Sequence, residues 1–409
     1  METSSNMLLA MAVILAVPWL IWRLGSTERY APLVVVQILA GIVLGPGMFG
    51  AAFPDVHSRI FTDEAIMTLD GIAIWGVILF VWLAGLELDL GATWKNRGDT
   101  LTTASLALIT PLVAGTVVAW LMLVHSQAWM GPAGHAWQFV LGLGMACAVT
   151  ALPILILFME KLDMLRRPLG QRVLRYASLD DIAIWIVLTI ILLDFERLGM
   201  QALFVAVFAL GTVLVRQLMP RIAEADRWFV ALIWLTVCAL GSDLAGLHYM
   251  VGAFLAGVVL DSRWFGHEAM DRFRHFLLLV LMPVFFLSTG LKTEWSLGGT
   301  TVLVAAFALL LAAVWGKRAG VSLAGWWLGW RSGEARLVGW LLQTKALIMI
   351  IFANILLDRA IISADAFTAL LLMAAASTML TIPMINGRHR SAADTAGAST
   401  DTGPRNGLT

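Results

Sequence analysis

The sequence predicts an all-α integral membrane protein with thirteen transmembrane helices, and three observations point there. The 409-residue chain is 60% hydrophobic and only 13% charged, and its mean hydropathy is +0.86. A soluble domain is about 25% charged. Apolar runs of the roughly 17–25 residues a bilayer requires recur along the whole chain. Their centres lie near Ile14, Ile38, Val77, Leu112, Cys147, Val187, Val207, Leu235, Leu255, Leu281, Leu309, Ile348 and Leu372. With that count, nineteen Lys and Arg fall on one side, from Arg23, Arg29, Lys95 and Arg97 through Arg388 and Arg390. Arg59, Arg197, Lys292 and Arg359 are the four on the other. Basic residues accumulate in cytoplasmic connections. The N-terminus is therefore expected outside and the C-terminus in the cytoplasm, in a multi-pass inner (plasma) membrane protein.

The first apolar run has no small-residue cleavage site behind it, so a retained span is expected. The third run ends in Glu87 and Asp89, which read as interfacial, near Lys95 and Arg97. The fifth is interrupted by Thr150-Ala151-Leu152-Pro153, and the sixth contains Asp180-Asp181. The seventh, within 195–225, reads as a linker helix. The ninth is short, and its Gly252-Ala253-Phe254-Leu255-Ala256-Gly257 face reads as a packing surface. The eleventh carries Lys317, and the twelfth carries Gln343-Thr344-Lys345. Residues 388–409 are expected to be a disordered cytoplasmic tail. Trp94, Trp129, Trp137, Trp228, Trp264 and Trp295 sit near run ends, as interfacial anchors do. Cys147 and Cys238 lie in apolar runs and read as small packing residues.

Several function classes are disfavoured. A net charge of zero gives no reason to expect nucleic acid. No GxGxxG or GxxxxGK[ST] motif points to a nucleotide. His125, His135, His248 and His267 show no metal-ligand spacing, and no nucleophile–base set suggests an enzyme. No cofactor is expected.

The chemistry concentrates at Asp180 and Asp181. A carboxylate at membrane depth costs at least about 2.5–3.5 kcal/mol, and two neighbours also repel. A water-filled cavity, a cation or a proton relieves that charge, so the pair reads as an ion or proton site. Arg175 lies about 7–9 Å away along the helix. This places the acids at the floor of a cytoplasmic funnel. The alternative is a pair capping a helix start, with 174–179 as loop.

Pro153 removes a helix hydrogen bond and disfavours helix before it. Alone, it reads as an ordinary kink. Lys317 needs a nearby acid or a helix C-terminus, or else snorkels to the interface beside Arg318. Lys345 has apolar residues on both sides and fits a second broken helix, offsetting exposed carbonyls. The two interruptions fall in the fifth member of each of two six-helix sets, 1–194 and 226–387. One linker span between them inverts the second set. Paired breaks in inverted halves mark a substrate site in transporters.

On these residues the chain resembles the monovalent cation:proton antiporter-2 family, the branch with Kef-type potassium exchangers and plant cation/proton exchangers. The matching stretches are Leu39 to Pro46, Leu83 to Leu90, Ala148 to Pro153, Asp180-Asp181, Gly252 to Gly257, Pro283 to Phe286 with Gly290-Leu291, Gly316-Lys317 and Thr344-Lys345. The resemblance implies a thirteen-helix inverted-repeat exchanger domain over 1–387, two broken crossing helices, dimerisation and core domains, and elevator-like alternating access. It implies that Asp181 binds Na⁺ or K⁺ and protons. Asp180 would pair with Lys317 and release it when the cation arrives, and Thr150 would sit at the crossing. A homodimer in a lipid bilayer is implied as well. Two residues depart from the family pattern: Ala346 stands where Gly is usual, and Gln343 where Asn is common. No regulatory domain is expected, unlike the Kef members. An acid pair accompanies electrogenic exchange in the wider superfamily.

The function expected is a secondary antiporter exchanging Na⁺ or K⁺ for protons. The rival readings are an organic-anion symporter of related fold and a non-transporting membrane sensor or assembly subunit.

Overall fold

In a computed structural model of the chain, residues 3–25, 33–87, 97–162, 164, 167–193, 197–291, 299–331 and 333–398 are described. The helices in order are α1 (Thr3–Leu24), α2 (Leu33–Leu44), α3 (Pro54–Ile60), α4 (Asp63–Leu86), α5 (Arg97–His125), α6 (Ala136–Ala148) and α7 (Leu152–Lys161). They continue as α8 (Pro168–Ile191), α9 (Leu198–Leu218), α10 (Glu224–Leu244), α11 (Tyr249–Val258), α12 (His267–Phe276) and α13 (Met282–Leu291). The last four are α14 (Gly299–Trp327), α15 (Glu334–Leu341), α16 (Ala346–Asp358) and α17 (Ala364–Ala398). Each of the expected span centres falls within helix.

Among the described residues, eight helices are long and apolar enough to cross a bilayer. This is a multi-pass, all-helical membrane protein. α8 is also long, at 24 residues, but its arginines and acids lower its mean hydropathy. α11 has ten residues, about 15 Å of rise, half a hydrocarbon core.

Packing divides the helices into two sets. One contains α1, α2, α4 and α10 to α13; the other contains α5 to α8 and α14 to α17. Lipid tails provide no hydrophobic drive for helix association, so small residues that let backbones approach do the joining. A Cβ on Gly257 of α11 would meet the Trp82 carbonyl of α4, and one on Gly85 would meet the Phe254 carbonyl. In the second set, Gly316 and Gly320 of α14 face Pro111 and the Leu106 carbonyl of α5. Gly252 to Gly257 is thus a packing face, and both cysteines are buried and free.

The expected tenth span is two helices joined by a π turn, Leu277–Leu281. Pro283 lacks the N–H that would bond one turn back, so the helix widens just before it. α17 continues through Ala398, past residue 388, where the polar tail was expected to begin. Its alanines favour helix. Two of the expected interfacial tryptophans pack inward. Trp129 is buried. Trp228 meets Phe265 edge to face at 5.0 Å and Trp82 likewise at 6.2 Å. Trp94 and Trp295 lie outside the described residues. Glu87 pairs with Arg274 of α12, at 2.5 Å; the side chain of Arg97 is outside the described residues. Asp89 and Lys95 also lie outside the described residues.

Candidate ion and proton site

The two breaks meet. α6 ends at Ala148 and α7 begins at Leu152; α15 ends at Leu341 and α16 begins at Ala346. The Ala151 N–H donates to the Thr344 carbonyl at 2.5 Å, so the unwound segments cross backbone to backbone. Pro153 is the second residue of α7, where a missing N–H is harmless. It starts the second half-helix instead of kinking a continuous one. Unwinding in the second break stops at Lys345, because Ala346 is already helical.

A helix C-terminus leaves carbonyls without partners and carries partial negative charge. Both lysines serve the end of α6. Lys317 Nζ donates to the Ala148 carbonyl at 2.5 Å. Lys345 Nζ donates to the Cys147 and Val149 carbonyls at 2.7 and 2.9 Å. Lys317 and Lys345 are each fully buried, which rules out snorkelling.

Gln343 anchors the second break sideways. Its Nε2 donates to the Ala313 and Val314 carbonyls at 3.0 and 3.2 Å. Ser377 of α17 donates to the Gln343 carbonyl at 3.1 Å. Thr344 Oγ1 donates to the Leu341 carbonyl at 3.2 Å. The sequence reading missed Ser377. Its signal was a Ser-Thr pair inside the last apolar run.

The acids lie within α8, not at its start, so 174–179 is helix and no cap. Asp180 is the paired member. Lys317 Nζ is 2.7 Å from its Oδ2, and Thr150 Oγ1 is 2.6 Å from the same oxygen. Thr150 Oγ1 also lies 2.8 Å from the Leu342 carbonyl, and so ties the first break to the second. Asp181 is different. Its side chain is wholly buried, and among the described residues neither of its oxygens has a hydrogen-bond partner. An unpaired buried carboxylate is strongly unfavourable. A proton or a cation on Asp181 relieves it.

The start of α8 is clamped. Arg172 donates to Glu334 of α15 at 2.5 Å and lies 4.7 Å over the Trp330 ring. Tyr176 donates to Asp99 of α5 at 2.7 Å. The helix carrying the acids is thereby held to both neighbours.

A cavity of about 250 Å³ lies between the two helix sets, lined by Glu87, Gln171, Arg175, Ser178, Asp271 and Arg274 among others. Ser178 is one turn short of Asp181. The expected funnel is present at this end, but its floor stops before the acids, which are closed off at 1% and 0% exposure.

The chain is similar to known proteins. A family profile described as sodium/hydrogen exchanger, transmembrane, matches residues 10–386. Cation/H(+) antiporter 20 of Arabidopsis thaliana is 27% identical over 414 residues, covering 91% of this chain and 48% of that protein. The Na(+)/H(+) antiporter NhaS4 of Synechocystis sp. is 27% identical over 405 residues, covering 94% and 98%. The K(+)/H(+) antiporter 1 of Saccharomyces cerevisiae is 26% identical over 384 residues, covering 86% and 43%. The chain thus spans about half the length of the plant relative. The sodium proton antiporter MjNhaP1 of Methanocaldococcus jannaschii superposes with a TM-score of 0.62 at 12% identity, covering 95% of this chain and 98% of that one. The fold is the all-helical antiporter fold.

Proposed function

Because the chain belongs to the sodium/hydrogen exchanger family of transmembrane proteins, we propose that it is a secondary antiporter exchanging a monovalent cation for protons at Asp181. The observation that supports this most is the contrast between neighbours. Asp180 is neutralised by Lys317, while Asp181 is buried without a partner. Asp181 takes either a proton or Na⁺ or K⁺, and occupancy by one excludes the other. Asp180 and Thr150 supply further oxygens. When the cation draws Asp180 toward itself, Lys317 is released to the Ala148 carbonyl it already touches. Lys345 stays on the end of α6. Both lysines are engaged at the end of α6, so neither is free to receive an organic anion.

The set holding the breaks acts as the core, and the set of α1, α2, α4 and α10 to α13 as the dimerisation domain of a homodimer. Thirteen spans form two inverted repeats, 1–194 and 226–387, joined by α9. Elevator-type movement of the core carries Asp181 between the faces. The basic end, with the cavity at Glu87 and Arg175, is cytoplasmic, in an inner-membrane protein with its N-terminus outside.

Reconstituted vesicles test this. An imposed proton gradient is expected to dissipate on addition of Na⁺ or K⁺ to wild-type protein, and to persist with choline. A gradient untouched by Na⁺, K⁺ and Li⁺ contradicts the proposal. Offering the three ions separately, with and without a voltage clamp, identifies the cation and the net charge moved.

A further inference from the structure

The opposite end of the molecule holds polar groups that the exchange site does not use. Asp70 lies seven residues inside α4, about 10 Å below its start, beyond the acidic first turn of Asp63 and Glu64. Ser288 of α13 donates its hydroxyl to Asp70 Oδ1. Next to them is a cavity of about 60 Å³, lined by Asp70, Tyr249, Ser288, Thr289, Asn354 and Asp358 among apolar residues. We propose that Asp70, Ser288, Thr289 and Asn354 form a second, outer site for a monovalent alkali cation, a station between Asp181 and the external face.

Three features support it. The first is the donor set. Asn354 is only 4% exposed, and Thr289 only 1%. Asn354 Nδ2 donates to Thr289 Oγ1 at 3.2 Å and to the Ile350 carbonyl at 3.0 Å. Among the described residues this leaves Asn354 Oδ1, on a buried side chain lining the cavity, without a partner. Asp70 likewise has a bond only to Oδ1. Two oxygens at one cavity therefore lack donors, which is what a hard cation coordinates. Two carboxylates, Asp70 and Asp358, line the cavity together with these neutral oxygens, a lining that favours a cation over an anion.

The second feature is size. A water needs about 10–15 Å³ of such volume. The cavity therefore takes an ion with part of its hydration shell.

The third is position. The cavity lies between the two helix sets, with α4, α11 and α13 on one side and α16 on the other. The larger cavity at Glu87 lies between the same sets, about 25 Å further along α4. A cation passing Asp181 and leaving between the sets meets Asp70 on the far side. The Thr289–Asn354 bond spans the two sets at that point. Parting them outward would release both groups to the ion.

The role as a station rests on the antiporter reading, but the site itself does not. Equilibrium binding of ²²Na⁺ and ⁸⁶Rb⁺ to the purified full chain separates them. Wild type is expected to bind two cations per chain. Asp181→Asn is expected to remove one, and Asp70→Asn the other. Asn354→Asp adds a carboxylate and is expected to tighten the second site, which guards against an Asp70 variant that fails to fold. In oriented vesicles, Asp70→Asn is expected to raise the KM for externally supplied cation roughly fivefold and leave that for internal cation unchanged. Unchanged stoichiometry in Asp70→Asn, with no tightening in Asn354→Asp, overturns the outer site and leaves the exchange reading intact. Loss of binding on Asp70→Asn but not on Asp181→Asn supports the outer site and removes the exchange reading.

Discussion

Asp181→Asn is expected to abolish cation-dependent proton flux, taking it to the level of empty vesicles. An amide neither binds a proton in this range nor carries the charge that draws an alkali cation into a dry site. The same variant is expected to unfold at no lower temperature than wild type. The carboxylate it replaces has no partner among the described residues, and so contributes no hydrogen bond to lose. Removing an uncompensated buried charge is neutral or favourable. This pairing of outcomes separates a lost site from a damaged fold. Full flux in Asp181→Asn contradicts the assignment, and so does a large fall in its melting temperature.

The second large effect is expected at Lys317. Lys317→Ala deletes a fully buried ammonium that bonds both Asp180 and the Ala148 carbonyl. Asp180 is left with only the Thr150 hydroxyl, and the end of α6 loses one of its two ammonium donors. Breaking a buried pair on one side costs about 3–5 kcal/mol, a fall of several degrees in thermal unfolding followed by tryptophan fluorescence. Replacing both partners by neutral residues of similar size, Asp180→Asn with Lys317→Met, is expected to recover most of that loss. A single variant as stable as wild type would remove Lys317 from the site. A double variant no better than the single would show that the carbonyl contact, not the ion pair, dominates.

Much of this architecture is legible in the chain, for physical reasons. Apolar runs of bilayer length identify spans because no other solvent demands them. Thr150 to Pro153 and Gln343 to Ala346 stand out because unwound backbone inside a membrane needs polar neighbours. Asp180 and Asp181 stand out because acids there are expensive. Periodicity and composition do not carry which acid is paired. Asp180 and Asp181 differ by about 100° around one helix, and only the position of α14 decides that Lys317 reaches the first. The side-chain partners of the second break were equally hidden, since Ser377 is distant in sequence. The Glu87 partner, Arg274, was hidden too, because it is distant in sequence and brought close by the packing of α4 on the π turn before α13. The depth of the funnel also escaped, because closure between two helix sets is a property of their packing and not of any one run.

The account turns on competition between a proton and an alkali cation for one carboxyl group. The direct measurement is cation binding to the purified protein across pH, with released protons counted in weakly buffered solution. The prediction is one proton released per cation bound at Asp181, and an apparent affinity that weakens about tenfold for each unit of acidification once Asp181 is protonated. Binding that is independent of pH, or that releases no proton, contradicts it.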